Sequence, residues 1–119
     1  LKRVSAQTQS EIVDYTVAPI FMEGREKGAH EWIIEFKKPP LNVIEFSELL
    51  DKALQDVNSD YEAKRCNNIT LKTPIIHCAR EKLFYDWLKM KDKIGGQHKI
   101  PRLSNKRDFL EELLRLNEQ

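Results

Sequence analysis

The side chain with the strongest case for chemistry is Lys99, which lies in a glycine- and proline-containing stretch at residues 95–102. Gly95 and Gly96 give the preceding chain conformational freedom, and Pro101 fixes φ shortly after the lysine. A lysine ammonium on its four-carbon stem can reach a phosphate or a carboxylate outside its own domain. The glycine pair is too short for a phosphate-binding fingerprint. The loop instead has the properties that a lysine would need to enter the active site of another domain.

Positive charge is concentrated around Lys99. Residues 89–107 contain seven basic side chains and one acidic one, Asp92, whereas the whole chain has a net charge of +1. This uneven distribution favours an anionic partner for the segment, and a solvated connector with lysines facing water is the alternative that composition leaves open. The segment has no Phe, Tyr or Trp on which bases could stack, and the chain is nearly neutral, so nucleic-acid binding is not predicted.

Histidines, carboxylates and cysteines elsewhere in the chain do not predict a second site. No metal site is predicted, because the three histidines lack the spacing of metal ligands and are assigned structural or incidental roles: His30, His77 and His98. Glu31 and Glu35 share a strand face and are predicted to be solvated charges rather than an acid/base pair. Cys66 and Cys78 lack the spacing of a zinc site or a disulfide framework, which predicts reduced thiols in a cytoplasmic protein.

The pattern of apolar residues predicts an α+β fold, a small and mostly antiparallel β-sheet flanked by about four helices. Strands are predicted at residues 11–21, 30–37 and 69–79, the second half-buried and the third at an edge because Pro74 lacks an amide donor. A helix already under way is predicted at residues 1–6, and further helices are predicted at 41–65, at 80–91, and after an N-cap at Ser104-Asn105 with Asp108 in its first turn. Trp32 and Trp87 fall on apolar faces and are predicted to be core residues.

The length and composition predict one domain over residues 1–119. A chain of this length buries enough surface to fold without a disulfide or a metal ion. Its apolar runs are too short to span a bilayer, and no signal peptide is present, so no membrane partner is predicted. The first residues read as the last turns of a helix without a cap, which predicts that the sequence is a piece of a longer polypeptide.

Taken together, several stretches resemble the C-terminal domain of the Gretchen Hagen auxin-responsive family of acyl-acid amido synthetases, particularly its bacterial members. The resemblance covers essentially the whole chain and depends most on residues 96–102, which are similar to a glutamine, aromatic, lysine, any residue, proline, arginine run of the plant enzymes. It depends also on residues 14–16, 28–32 and 50–54. His98 stands where the plant enzymes usually have tyrosine, and Leu103 where they often have cysteine, so substrate specificity is not inferred from the resemblance.

The resemblance implies that the chain is the C-terminal lid of an ATP-dependent ligase of the adenylate-forming superfamily. Such an enzyme activates a carboxylic acid as an acyl-adenylate and transfers the acyl group to the amine of an amino acid. ATP and magnesium would be bound mainly by an N-terminal adenylating domain, over which the lid closes, and the isolated lid would be inactive. By position, Lys99 resembles a lysine that approaches the substrate carboxylate and α-phosphate in related enzymes, while Gln97 and Arg102 match the motif as loop-ordering or nucleotide-contacting residues.

A second hypothesis is an independent α+β module that has no catalytic activity. Such a module would bind a partner protein or a small anion through its sheet edge or basic loop. The two hypotheses differ in one simple respect, because a lid requires a polypeptide ahead of Leu1 and an autonomous module does not.

Overall fold

The computed structural model describes residues 1–21, 27–66, 71–95, 100, 102–103 and 107–118. Within these ranges five helices and three strands follow one another in the order α1, β1, β2, α2, α3, β3, α4, α5. The helices are α1 Lys2–Thr8, α2 Val43–Val57, α3 Ser59–Arg65, α4 Leu83–Gly95 and α5 Asp108–Asn117. The strands are β1 Glu11–Ile20, β2 Ala29–Lys38 and β3 Ile75–Cys78. The α+β fold class is confirmed.

The three strands form a mixed sheet in the order β1-β2-β3. β1 and β2 are antiparallel, with Val17 opposite Trp32. β3 runs parallel to β2, with Ile33 opposite His77. The sheet is therefore mixed, and not mostly antiparallel as predicted. The third strand is only four residues long and begins just after Pro74, and it lies at the edge of the sheet, as predicted.

Helices cover both faces of the sheet, and the core therefore has two parts. On one face α1 and α2 pack against the strands through a cluster of buried side chains, Val4, Val17, Trp32, Ile34, Phe46, Leu50 and Ala53. On the other face α4 and α5 pack through Ala18, Ile33, Leu83, Phe84, Trp87, Leu110 and Leu113. The core positions of both tryptophans are confirmed, whereas the prediction of a half-buried second strand is wrong because β2 is covered on both sides.

The helix predicted at residues 41–65 is divided into two. Its start is defined by Asn42, whose side-chain oxygen accepts hydrogen bonds from the amides of Ile44 and Glu45 at 2.9 and 3.1 Å. Asn58 adopts an extended conformation, ends α2, and caps α3 by accepting from the amide of Tyr61 at 3.1 Å. One asparagine therefore both terminates a helix and begins the next.

The last two helices begin later than predicted. α4 begins at Leu83 because the Glu35 carboxylate accepts hydrogen bonds from the amides of Lys82 and Phe84, both at 3.2 Å, and so fixes the first turn. α5 begins at Asp108, which lies in the first turn as predicted. Its N-cap position is Arg107, so the predicted N-cap at residues 104–105, which lies outside the described residues, is wrong.

Candidate functional site

The outer edge of β1 is bordered by the residues that follow the predicted lysine loop. The Val17 amide donates a hydrogen bond to the Arg102 carbonyl oxygen at 2.9 Å, and Leu103 forms a parallel bridge with Val17. We call Arg102 and Leu103 the edge strip. The strip satisfies a backbone donor that would otherwise face outward from an edge strand.

The Arg102 side chain lies over the start of β1. Its Nε is 3.4 Å from Asp14 Oδ1, and its guanidinium carbon is 5.3 Å from the centre of the Tyr15 ring. The side chain remains 62% exposed, so these contacts orient the cation without enclosing it. Arg102, a predicted site residue, is therefore available to an anion in the space in front of it.

That space is an open groove of about 940 Å³ between α1, the first half of β1 and the edge strip. Its cationic lining residues are Lys2, Lys38 and Arg102, and its acidic ones are Glu11 and Asp14. The two carboxylates offset part of the positive charge. The groove can therefore hold a small anion, with the arginine as the donor best oriented by its neighbours.

The remaining predicted site residues, Gln97 and Lys99, lie outside the described residues, and their roles stay predictions. The chain on either side of them is described. Gly95 ends α4, and Ile100 packs against the core cluster of α4 and α5. Lys99 thus precedes, in sequence, a partly buried residue that packs against the core.

Beyond the edge strip, Arg107 binds a carboxylate within the sheet. Its Nη2 donates to Glu31 Oε1 at 2.7 Å, and His77 Nε2 lies 2.6 Å from the other Glu31 oxygen. Burial raises the pKa of Glu31, but the hydrogen bonds and positive charges of Arg107 and His77 outweigh it and hold that pKa below its usual range. The prediction that Glu31 and Glu35 are solvated is wrong, because both are buried and have fixed partners.

The three histidines have different surroundings. His77 pairs with Glu31, while His30 lies against Tyr61 with the ring centres 5.5 Å apart. Burial and then the charge of Lys64 lower the pKa of His30. His98 lies outside the described residues. In the part of the chain that the structure describes, no three His, Cys, Asp or Glu side chains are grouped to hold a metal ion.

Part of the concentrated positive charge is neutralised within the domain. Lys91 Nζ lies 2.7 Å from Glu112, and Arg102 and Arg107 pair with Asp14 and Glu31. Among the basic side chains of 89–107 that the structure describes, Lys91, Arg102 and Arg107 therefore have acidic partners. The charge available to an external anion is smaller than the sequence total of the segment.

Sequence reasoning missed Arg107 and Glu31 and did not anticipate the partners of Arg102. The sequence contained only an indirect signal for these ion pairs. Three of the stretches that carry the family resemblance, at 14–16, 28–32 and 50–54, each contain the acidic residue of an ion pair. These pairs are Asp14 with Arg102, Glu31 with Arg107, and Asp51 with Arg65. A spacing rule could not find them, since the partners are 88, 76 and 14 residues apart in sequence.

No helix among the described residues is both long enough and apolar enough to cross a membrane. Cys66 and Cys78 are exposed free cysteines. Partial desolvation of the Cys78 sulfur by its neighbours nevertheless raises the pKa of this thiol.

These features define a class of protein: a small α+β domain with helices on both faces of a mixed sheet and the edge strip, with its exposed arginine, along the outer edge of β1. The model of the GH3 family C-terminal domain matches residues 1–108. The chain therefore belongs to the GH3 family, and the resemblance seen in the sequence is confirmed at the level of the family.

Two solved structures have a similar fold. A GH3.15 acyl acid amido synthetase is 19% identical with a TM-score of 0.68, and the match covers 98% of this chain and 20% of that one. The AtGH3.15 acyl acid amido synthetase in complex with 2,4-DB is 16% identical with a TM-score of 0.65, covering 98% and 21%. The chain thus spans about a fifth of the length of these structures. No curated protein matches the chain.

Proposed function

We propose that this chain is the C-terminal lid domain of an ATP-dependent acid–amino acid ligase. The enzyme would activate a carboxylic acid as an acyl-adenylate and transfer the acyl group to an amine. The observation that carries the proposal is the match to the GH3 family C-terminal domain over residues 1–108. The similar fold of two acyl acid amido synthetases over 98% of the chain supports it.

In this proposal the lid works with its own N-terminal adenylating domain. That domain would bind ATP and magnesium for the most part, together with the carboxylic acid, and closure of the lid would exclude water from the reactive adenylate. The isolated 119 residues would be inactive. We further propose a bacterial, cytoplasmic enzyme.

Lys99 is proposed as the catalytic residue of the lid. Its ammonium would approach the substrate carboxylate and the α-phosphate and stabilise the negative charge as pyrophosphate leaves. Gln97 would order the loop or contact the nucleotide. Arg102 would do the same, and its exposed guanidinium, oriented by Asp14 and Tyr15, supports a contact with a nucleotide phosphate.

The decisive experiment is the variant Lys99→Ala in the complete enzyme, assayed by acid-dependent exchange of pyrophosphate into ATP. Removing a charge that stabilises the transition state should slow exchange on the order of 100-fold, with thermal unfolding unchanged. Lys89→Ala is the matched control, since it removes an exposed lysine of α4 from the same basic segment. An exchange rate equal to that of the unaltered enzyme would remove Lys99 from the mechanism.

A further inference from the structure

Two backbone groups on the outer edge of β1 are bound by residues of the same short segment. The Val17 amide donates to the Arg102 carbonyl, and the Pro19 carbonyl accepts from Arg107 Nη1 at 3.1 Å. Residues two apart in a strand turn their backbone groups toward the same side, so both contacts lie on one edge. Arg102 and Arg107 therefore both bind the outer edge of β1.

The contact at Arg102 cannot hold this segment strongly by itself. Its ion pair with Asp14 spans 3.4 Å and is largely solvated, and the Leu103 side chain is 79% exposed, so the edge strip buries little apolar surface. Its described contacts with the sheet are one backbone hydrogen bond, the solvated ion pair and the exposed guanidinium over the Tyr15 ring. A stronger attachment is found at a residue close to the strip.

Arg107 supplies a stronger attachment. Its guanidinium bridges the Pro19 carbonyl and the Glu31 carboxylate, which is only 10% exposed, at 3.1 and 2.7 Å. Charge-assisted hydrogen bonds of this length in a partly buried position are about twice as strong as neutral ones. His77 holds the other oxygen of Glu31, so the carboxylate is fixed from β3 while it binds Arg107.

We infer that Glu31 and Arg107 are positioning residues, whose ion pair holds the edge strip against β1. The inference has a consequence for the reaction that depends on the proposed function. The strip follows the loop that contains Lys99, so the ion pair would fix the point at which this loop is attached to the sheet.

The attachment itself can be measured without any activity assay. The Val17 amide is protected only while the Arg102 carbonyl lies on β1, so its hydrogen exchange in the complete protein reports on docking of the strip. In Arg107→Gln, and in Glu31→Gln, the Val17 amide should exchange about tenfold faster or more, because detaching the edge strip from β1 then requires less free energy. Arg107→Lys, which retains the charge and loses the planar fork, should give a smaller increase.

Three comparisons separate this role from general destabilisation. His77→Gln leaves the Arg107–Glu31 contact in place and should accelerate Val17 exchange less than Arg107→Gln does. Asp51→Asn breaks the other well-buried ion pair, on the opposite face of the sheet, and should not accelerate Val17 selectively. The Ala79 amide, which donates to Ile34 at 2.8 Å, is the reference within each molecule. Equal acceleration of Val17 in Asp51→Asn and Arg107→Gln, or none in Arg107→Gln, would overturn the inference.

The consequence for the reaction is tested by combining variants in the complete enzyme. Arg107→Gln should lower kcat of acid-dependent pyrophosphate exchange by about tenfold with the KM for the acid little changed, as expected for a misplaced stabilising charge. In a Lys99→Ala background the same substitution should have little further effect. A full effect in that background would refute the positioning role. If Lys99→Ala leaves the rate of pyrophosphate exchange unchanged while Arg107→Gln accelerates hydrogen exchange at Val17, only the proposed role of Lys99 is refuted.

Discussion

At the scale of single residues, ion pairs of this domain differ greatly in enclosure. Asp51 and Arg65 form the Oδ1–Nε contact at 2.6 Å with side chains only 12% and 10% exposed, whereas Arg3 and Asp56 are each 46% exposed. Tyr61 donates a further hydrogen bond to Asp51 at 2.7 Å. Exposed pairs contribute little to stability because solvent screens them, while an opened buried pair leaves an uncompensated charge. The enclosed pair should therefore dominate the response to substitution.

We predict that Asp51→Asn destabilises the domain by about 3 kcal/mol. The substitution removes the carboxylate that accepts two hydrogen bonds from Arg65 and leaves the guanidinium partly buried beside a neutral amide. Urea unfolding monitored by tryptophan fluorescence would measure the loss. Asp56→Asn is the control and should cost less than about 1 kcal/mol. Similar losses in both variants would contradict the ranking by burial.

The same pair predicts how stability depends on pH. Burial raises the pKa of Asp51, but hydrogen bonds from Arg65 and Tyr61 and the charge of Arg65 lower it more, so its folded-state pKa lies below the unfolded value of about 3.9. A depressed carboxyl pKa gives stability that is present above the unfolded value and is lost as the pH falls through the folded one. Asp51→Asn should therefore reduce the loss of unfolding free energy as the pH falls below the unfolded value.

At the scale of elements, the junction at Asn58 determines how α2 and α3 are arranged. We predict that Asn58→Ala costs about 1 kcal/mol, since it removes the side-chain acceptor for the Tyr61 amide at the start of α3. Asn58→Gly should cost only a few tenths, because glycine tolerates the cap position. Thermal unfolding of the two variants would measure the difference. An alanine variant as stable as the glycine variant would exclude the capping role.

Sequence periodicity predicted the order of the elements and missed the features set by tertiary contacts. The hairpin and the amphipathic helices follow from local spacing, but the break at Asn58 is hidden because Val57 and Tyr61 continue the apolar stripe. In the structure Val57 is 77% exposed. Likewise, the two glutamates of β2 are predicted to be solvated because their partners are distant in sequence. Glu31 binds Arg107, and Glu35 binds the amides at the start of α4.

The candidate site divides in the same way between local and distant information. Lys99 is predicted from the residue types around it and from the family resemblance, whereas Gln97 and Arg102 are predicted from the resemblance alone. The position of Arg102 beside Asp14 and Tyr15 depends on a contact between residues 88 apart in sequence. Local sequence can therefore suggest a candidate side chain, but it cannot indicate which strand that side chain lies against.

At the scale of the whole molecule, the groove and the exposed Arg102 side chain form the surface over which the proposed second domain would close. The groove lies between α1, β1 and the edge strip, and it contains both cationic and acidic side chains. An anion bound there would still face solvent on one side, because the groove is open. A second domain closing over it would remove that solvent and strengthen every charge interaction inside.

We therefore predict that the native polypeptide in its source cells has an intact mass several-fold above the 14.0 kDa of this chain. The reason is that the chain spans about a fifth of the amido synthetase structures with which it shares its fold. Mass spectrometry of the polypeptide captured with an antibody against this domain would measure it. A large mass would justify pyrophosphate-exchange assays with a panel of carboxylic acids. A mass near that of the chain would contradict the ligase proposal, because a lid without an adenylating domain has no substrate to enclose, and would favour an independent binding module.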